Sequence, residues 1–516
     1  MTAIGRSASI AVIGAGTMGA GIAQVAAVAD HPVMVYDAVE GAAERAVAAV
    51  RDRVARLVDK GRLNLDPADL RLAVATELGE LAQARCVIEA VVEDLAVKQA
   101  LFADLEKVVS PGCVLATNTS SLSPTAIAAG LSHPGRLVGL HFFNPAPLMR
   151  LVEVVSGLAT DAGVAAAVTR LAEDWGKQVV QAAATPGFIV NRVARPFYAE
   201  ALRLAEEQAA GPATIDAVLT QAGGFKMGPF ALMDLVGQDV NEAVTRSIWA
   251  AFGHDPRFAP SLLQRALVEA GWLGRKSGRG WYHYGDDAPP PAPDVAPGRP
   301  APAQVTEHGA SPLRVLLGRS RVEVRAGPGT GGTAELHGTV ELHGTVELHG
   351  TVELPSSALL VRCDGRPATA LAAEWHRPVV VVDRTLDDAT AAGIAIAACD
   401  GCPVAAVDEA VGLLQAAGLT VYVIDDAPGL VVTRTVAMLV NAAVDARNQG
   451  VASAADIDIA MRFGTNYPLG PLAWGQSWGP ATVLAVLETM QAWYGEDRYR
   501  PSALLRRVAA AGGSLI

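Results

Sequence analysis

The segment Gly14-Ala15-Gly16-Thr17-Met18-Gly19 follows the β-branched run Ile10-Ala11-Val12-Ile13 and opens an Ala-rich stretch of helical composition. Glycines spaced this way between a strand and a helix leave few folds open. Gly14 permits a tight turn, Gly16 lets backbone approach a phosphate, and Gly19 lets the helix pack closely on the strand. Thr17 and Met18 fall in the same turn, where the N–H groups of the helix start favour an anion. The pattern alone is common. Here a second run, Val33-Met34-Val35-Tyr36, ends at Asp37, at about the 20-residue distance where a carboxylate meets ribose hydroxyls. The two signals together imply a dinucleotide site. The charge on Asp37 favours NAD over NADP, because it would repel a 2′-phosphate.

Three more β-like runs, Cys86-Val87-Ile88, Val114-Leu115-Ala116 and Leu137-Val138-Gly139-Leu140, alternate with helical stretches. The expected fold class is therefore α/β, with an N-terminal Rossmann doubly wound, mostly parallel sheet over residues 1–185. Between the second and third runs, residues 38–80 read as a helical hairpin projecting from the sheet. Residues 186–285 change to helical periods broken by Gly and Pro, an all-α domain. A linker is expected over 286–355, rich in Pro and Ala at first and then repeating Glu-Leu-His-Gly-Thr-Val. The repeat would align His337, His343 and His349 if extended. Tandem expansion in a tolerant linker accounts for them, and no metal site is assigned. Residues 356–426 read as a small degenerate Rossmann-like unit without a phosphate-binding glycine cluster.

Residues 427–516 read as a second copy of the all-α domain. Pro186-Gly187 and Pro428-Gly429 lie 242 residues apart, as do Gly228-Pro229 and Gly470-Pro471, Arg192 and Arg434, and Ile215-Asp216 and Ile457-Asp458. At the same offset Asn191 becomes Thr433. If Asn191 carries function, the second copy has lost it.

At 516 residues the chain exceeds what one core organises. A net charge of −12 argues against nucleic acid, whose binders cluster Lys and Arg. No apolar run approaches the ~20 residues that cross a bilayer, so no membrane partner is expected. The N-terminus leads at once into a strand without a cleavable signal, and the five scattered cysteines suit a reducing compartment, so the expected location is cytoplasmic. Cys399 and Cys402 form a Cys-x-x-Cys without a second pair, which reads as two small buried residues.

The main catalytic signal is His141, at the end of an apolar strand in Leu140-His141-Phe142-Phe143-Asn144-Pro145, with Glu153 twelve residues on in Leu151-Val152-Glu153-Val154-Val155. A chain turning through Pro145-Ala146-Pro147 and returning as a strand would bring the two together. A paired core histidine would explain the same spacing. Chemistry favours the functional reading. Alcohol oxidation needs a base that titrates near neutrality, and a carboxylate on the far ring nitrogen fixes the tautomer and stabilises the imidazolium.

At this point the sequence resembles the 3-hydroxyacyl-CoA dehydrogenase family over nearly its whole length, in the long bacterial form with a duplicated C-terminal domain. The matching stretches include Gly14 to Gly19, Ile88-Glu89-Ala90-Val91-Val92-Glu93, Asn118-Thr119-Ser120-Ser121-Leu122, His141 to Pro145, Pro186 to Arg192, and Asn466 to Pro471. The resemblance implies NAD-dependent oxidation of a 3-hydroxyacyl-CoA, with His141 as base and Glu153 as its orienting partner. Ser120 and Asn191 would be the further catalytic groups around the reacting oxygen and nicotinamide. Glu93, Lys98, Asn118 and Ser120 would line the NAD site, and Asn144 and Lys60 would join Ser120 and Asn191 in holding the acyl-CoA. By the same resemblance the substrate is a short-chain thioester such as 3-hydroxybutyryl-CoA, or 3-hydroxyadipyl-CoA, in fatty acid or phenylacetate-type aromatic degradation. The family also pairs through its helical domains, implying a homodimer. Arg195 and Arg246 are candidates for a terminal carboxylate, with solvation at the surface as the expected fate of each. The rival readings are a dehydrogenase of free hydroxy acids and a non-catalytic NAD sensor.

Overall fold

The computed structural model describes residues 4–285, 288–327 and 350–516, so most of the hexad repeat, with His337, His343 and His349, lies outside the described residues. The chain divides into two compact units. One comprises residues 1–193, 446–470 and 516, and the other residues 194–445 and 471–515. The nucleotide-binding sheet thus shares a unit with part of the second helical copy.

In the first unit the strands are β1 (Ile10–Ile13), β2 (Val33–Tyr36), β3 (Leu72–Val74), β4 (Cys86–Glu89), β5 (Val114–Thr117), β6 (Leu137–Phe142), β7 (Leu151–Ser156) and β8 (Gln178–Ala183). They form one sheet in the order β3-β2-β1-β4-β5-β6-β7-β8. The pairs from β3 to β6 are parallel, β7 is antiparallel to β6, and β8 is parallel to β7. The order reverses at β1, between β2 and β4, which places the ligand crevice of a doubly wound sheet outside the end of β1. Strands such as Ile-Ala-Val-Ile are buried throughout, as both-face coverage of a parallel sheet requires. Two apolar layers result, one including Ile22, Val25 and Ala26 of helix α1 (Thr17–Val28) and the other Phe102 and Leu105 of a later helix, Leu95–Val108.

The hairpin expected over 38–80 is not present. Its first half is the single helix α2 (Ala42–Asp59), and the chain then returns as β3 along the sheet edge. Arg51 ties the helix to the sheet. Its guanidinium turns inward to the carbonyl of Leu72, tying α2 to that edge strand.

In the second unit a mixed sheet runs β10-β9-β11-β12-β13-β14-β15, with β9 (Gln304–His308), β10 (Glu323–Ala326), β11 (Thr351–Glu353), β12 (Leu359–Arg362), β13 (Val379–Val382), β14 (Gly393–Ala398) and β15 (Thr420–Val423). Part of the expected linker therefore belongs to a sheet, since β9, β10 and β11 fall within 286–355. Cys399 and Cys402 form a turn after β14. The Cys399 sulfur accepts the Val379 N–H, and burial pushes the Cys402 thiol up to about 12.

Residues 195–285 are helical and held by two buried carboxylates. Asp216 accepts the N–H groups of Phe230 and Ala231 at the start of the helix Pro229–Val236 and the hydroxyl of Tyr282. Asp234 accepts from Trp281 N, Tyr282 N and the Tyr284 hydroxyl. A Cβ on Gly228 would meet the Asp216 carboxyl at 2.3 Å, and Gly470 stands in the same relation to Asp458 at 2.2 Å. The duplicated Gly-Pro thus preserves a carboxylate lodged against a glycine.

Burial raises the Asp216 carboxyl to about 6, against the hydrogen bonds that lower it. A carboxyl raised on folding contributes stability below its ordinary value of about 4 and loses it as pH climbs through the folded value. Asp216→Asn carries no such term. The melting temperature of the unmodified chain should therefore fall relative to that of the variant between about pH 4 and pH 6 and level off above, as differential scanning fluorimetry would read.

Candidate active site

At the end of β1, Gly14 adopts φ +96°, and a Cβ there would lie 2.5 Å from the Ala90 carbonyl oxygen. A Cβ on Gly19 would lie 1.7 Å from the Gly14 carbonyl oxygen, so both positions exclude any side chain. Gly16 differs, since a Cβ there would meet no protein atom within 4 Å. Its small size leaves open space beside the N-terminus of α1, as backbone approach to a pyrophosphate requires. Asp37 accepts from Ala15 N at 2.6 Å and Val39 N at 2.8 Å, which fixes its carboxylate at the mouth of the turn. Ala15, Gly16, Thr17, Asp37, Val39 and Arg45 line a groove of about 460 Å³. Its acid, its open glycine and its helix start fit the adenosine and phosphate half of NAD.

Beyond β4 a polar network continues the crevice. Glu93 Oε1 accepts from the Thr119 hydroxyl at 2.6 Å, Ser120 N at 2.9 Å, Ser121 N at 3.0 Å and the Ser121 hydroxyl at 2.9 Å. Burial pushes the Glu93 carboxyl up. The Thr119 hydroxyl, the Lys98 ammonium and the Ser120 N–H outweigh it and hold the group below the usual carboxylate range. Lys98 lies 3.3 Å from Glu93 and donates at 2.5 Å to Glu89, both Lys98 and Glu89 being buried.

The catalytic candidates meet on adjacent strands. The β6–β7 register sets His141 opposite Glu153, and His141 Nδ1 lies 2.7 Å from Glu153 Oε2. Glu153 is wholly buried and His141 is 5% exposed. The other carboxylate oxygen, Oε1, accepts from Ile189 N and Val190 N at 3.1 Å each. Such a carboxylate is costly to bury without partners, and here each oxygen has its own. The rings of Phe143 and Phe188 pack on the imidazole at 4.5 and 5.8 Å between centroids. With Nδ1 committed to Glu153, Nε2 is the nitrogen that can take a proton.

Asn118 Oδ1 accepts from Phe142 N, so this residue, expected at the cofactor, also pins the strand carrying His141. Asn191 lies in the short helix Val190–Val193, directly after the amide that anchors Glu153. Asn144 is exposed in the loop after β6. Lys60 is not drawn into this group. It caps the far end of α2, about 27 Å along that helix from the groove at its start, and is exposed. Arg195 is not solvated at the surface as expected. It is buried, donates to the Thr245 hydroxyl and lies over the Tyr198 ring. Arg246 is half exposed and pairs with Glu242 one helical turn away.

Sequence reasoning gave no role to Glu89, Thr119, Phe143, Phe188 or Arg45. Glu89 was detectable, as an acid closing the otherwise apolar strand Cys-Val-Ile-Glu.

The second Rossmann-like unit carries no equivalent pair. The β13–β14 register puts Asp383 opposite Ala395, and Ala395 pairs with Tyr422 as Glu153 pairs with Val180, 242 residues earlier. Asp383 thus stands at the His141 station and Ala395 at the Glu153 station. Asp383 accepts from Val431 N, Val432 N, Thr433 N and the Thr433 hydroxyl, and burial raises its carboxyl. A carboxylate still anchors the helix start there, but it comes from the station that holds the imidazole in the first unit.

This fold and site define an NAD-dependent oxidoreductase with a histidine–carboxylate pair. Residues 9–185 match the NAD binding domain of 3-hydroxyacyl-CoA dehydrogenase, residues 187–284 and 429–514 its C-terminal domain, and residues 360–428 the 3-hydroxybutyryl-CoA dehydrogenase reduced Rossmann-fold domain. The chain is 45% identical over 504 residues to a 3-hydroxyadipyl-CoA dehydrogenase of Escherichia coli, covering 97% of each. It superposes on a crystal structure of 3-hydroxybutyryl-CoA dehydrogenase from the same species with a TM-score of 0.86 and 98% coverage of both chains. A crystal structure of (S)-3-hydroxybutyryl-CoA dehydrogenase from Ralstonia eutropha matches 54% of this chain and 99% of its own at 38% identity and TM-score 0.52. The chain belongs to the 3-hydroxyacyl-CoA dehydrogenase family and is an NAD-dependent enzyme of that class.

A carboxylate held at this turn would repel a 2′-phosphate on the ribose, so Asp37→Ala should lower the ratio of kcat/KM for NAD over NADP by roughly tenfold or more. Initial rates with each cofactor measure the ratio, and an unchanged value removes Asp37 from the selection.

Proposed function

We propose that the chain oxidises a short-chain 3-hydroxyacyl-CoA or 3-hydroxyadipyl-CoA to the 3-oxoacyl-CoA, with His141 as general base. The observation that carries the reading is the His141–Glu153 contact at 2.7 Å together with the two N–H groups that fix the far oxygen of Glu153. NAD held in the crevice supplies the hydride acceptor. His141 Nε2 takes the proton of the 3-hydroxyl, and Glu153 stabilises the imidazolium that forms. A carboxylate free to swing would have to be reoriented at each turnover. The Ile189 and Val190 amides remove that cost. Ser120 and Asn191 orient the reacting oxygen and the nicotinamide, Glu93, Lys98 and Asn118 shape the cofactor side, and Asn144 bears on the acyl-CoA, while Lys60, at the far end of α2, has no part at the reacting centre.

The two candidate substrates rest on the names carried by the Escherichia coli relative and by the shorter matching proteins, and we propose fatty acid or phenylacetate-type aromatic degradation as the setting of the reaction. We further infer a cytoplasmic enzyme that pairs as a homodimer. Among the described residues no helix is long and apolar enough to cross a membrane.

His141→Ala should cut kcat by roughly 10²–10⁴-fold, the usual cost of a lost acid–base group, and leave NAD binding within about twofold. NADH formation at 340 nm and a cofactor titration measure the two. Turnover retained in the variant would exclude His141 as the base.

A further inference from the structure

The unit that holds the catalytic sheet also holds residues 446–470 of the second helical copy, and their contacts are specific. Ala183 N, at the end of β8, donates to the Val451 carbonyl at 2.8 Å. Arg192, on the helix that carries Asn191, donates to Gln449 Oε1 at 2.8 Å. Gly464, closing the helix Ala454–Gly464, abuts the Glu153 neighbourhood. A Cβ there would lie 2.7 Å from Leu151 Cδ2 and 3.0 Å from Val190 Cγ2.

The first two contacts recur in the other unit with both partners exchanged at the 242-residue offset. Asp425 N donates to the Ala209 carbonyl at 2.9 Å, matching Ala183 and Val451. Arg434 donates to Glu207 at 3.3 Å, matching Arg192 and Gln449. The same two segments also meet through Gln221 and Gly393, which stand at the stations of Phe463 and Leu151. The same contact is therefore made twice, once behind the sheet that has His141 and Glu153 and once behind the sheet that has lost them. Only the first instance can serve chemistry.

We propose that the 446–464 segment is a built-in positioning element for the dehydrogenase site. Gln449 acts through Arg192, and Gly464 through Val190 and Leu151, to hold the short helix that presents Asn191 and the two amides anchoring Glu153. The proposal rests on the function proposed above. It makes the second helical copy part of the working site of its own chain, whatever homodimer the chains form. Gln449 and Gly464 touch no reacting atom, and their effect is on the placement of groups that do.

The test uses the full-length enzyme and three variants, Gln449→Ala, Gln449→Glu and Gly464→Leu. Gln449→Ala should lower kcat on the order of ten- to a hundredfold, the cost of a misplaced catalytic group. KM for the thioester and Kd for NAD should stay within about twofold, while amide exchange over 187–193 quickens. Gln449→Glu, which installs the carboxylate found at the equivalent Glu207, should restore kcat. Gly464→Leu should reproduce the loss of kcat and provides the same test if Gln449→Ala fails to fold. Wild-type kcat in Gln449→Ala or Gly464→Leu, whatever the change in melting temperature, would overturn the proposal. An unmodified enzyme inactive on every 3-hydroxyacyl-CoA would instead refute the underlying function, and unchanged exchange over 187–193 in Gln449→Ala would then refute the positioning role independently.

Discussion

One buried carboxylate joins the chemistry of this protein to its architecture. Glu153 sits mid-strand in β7 with no exposure, one oxygen on the imidazole and the other on two backbone amides where the chain leaves the sheet for its helices. A lone carboxylate could not survive there, and the amides it satisfies would themselves be orphaned at a helix start. The base, the strand pair and the first turn of the helical region therefore hold one another in place. Removing Glu153 unmakes all three contacts, whereas removing the imidazole leaves the anchoring of the helix start intact.

The second half of the chain shows what happens when that separation is used. Asp383 and Ala395 replace His141 and Glu153 at matching stations, and the single carboxylate left still caps the following helix start, now with help from the Thr433 hydroxyl. The helix start has a carboxylate anchor in both units, in the second from the station of the base, and the base itself is gone. A threonine that serves the anchor accordingly stands where the first copy has Asn191.

Much of this was legible in the sequence. Apolar strands buried on both faces, such as Ile10–Ile13 and Val379–Val382, announce themselves, and so does a glycine turn in which two positions tolerate no side chain. His141 and Glu153 were readable because a charged residue inside an apolar strand needs a partner. Short or mixed strands were not. Leu72–Val74 has three residues, and the edge strand Glu323–Ala326 is fully exposed, so neither leaves a hydrophobic pattern. The supposed helical hairpin failed because the chain after α2 returns as that three-residue edge strand, which leaves too little pattern to be read. Gln449 was invisible for another reason. Its partner Arg192 is 257 residues away, and only the matched pair Arg434–Glu207 shows that the contact belongs to the duplication.

The most direct test of the account is kcat for Glu153→Gln, followed as NADH formation with saturating NAD and 3-hydroxybutyryl-CoA, or 3-hydroxyadipyl-CoA if that is the better substrate. The amide keeps the shape and can still accept from Ile189 and Val190, but it cannot stabilise an imidazolium. A fall of about 10²–10⁴-fold in kcat, with NAD affinity and melting temperature nearly unchanged, is the predicted result. Near-wild-type turnover in that variant would contradict it and separate the buried carboxylate from catalysis.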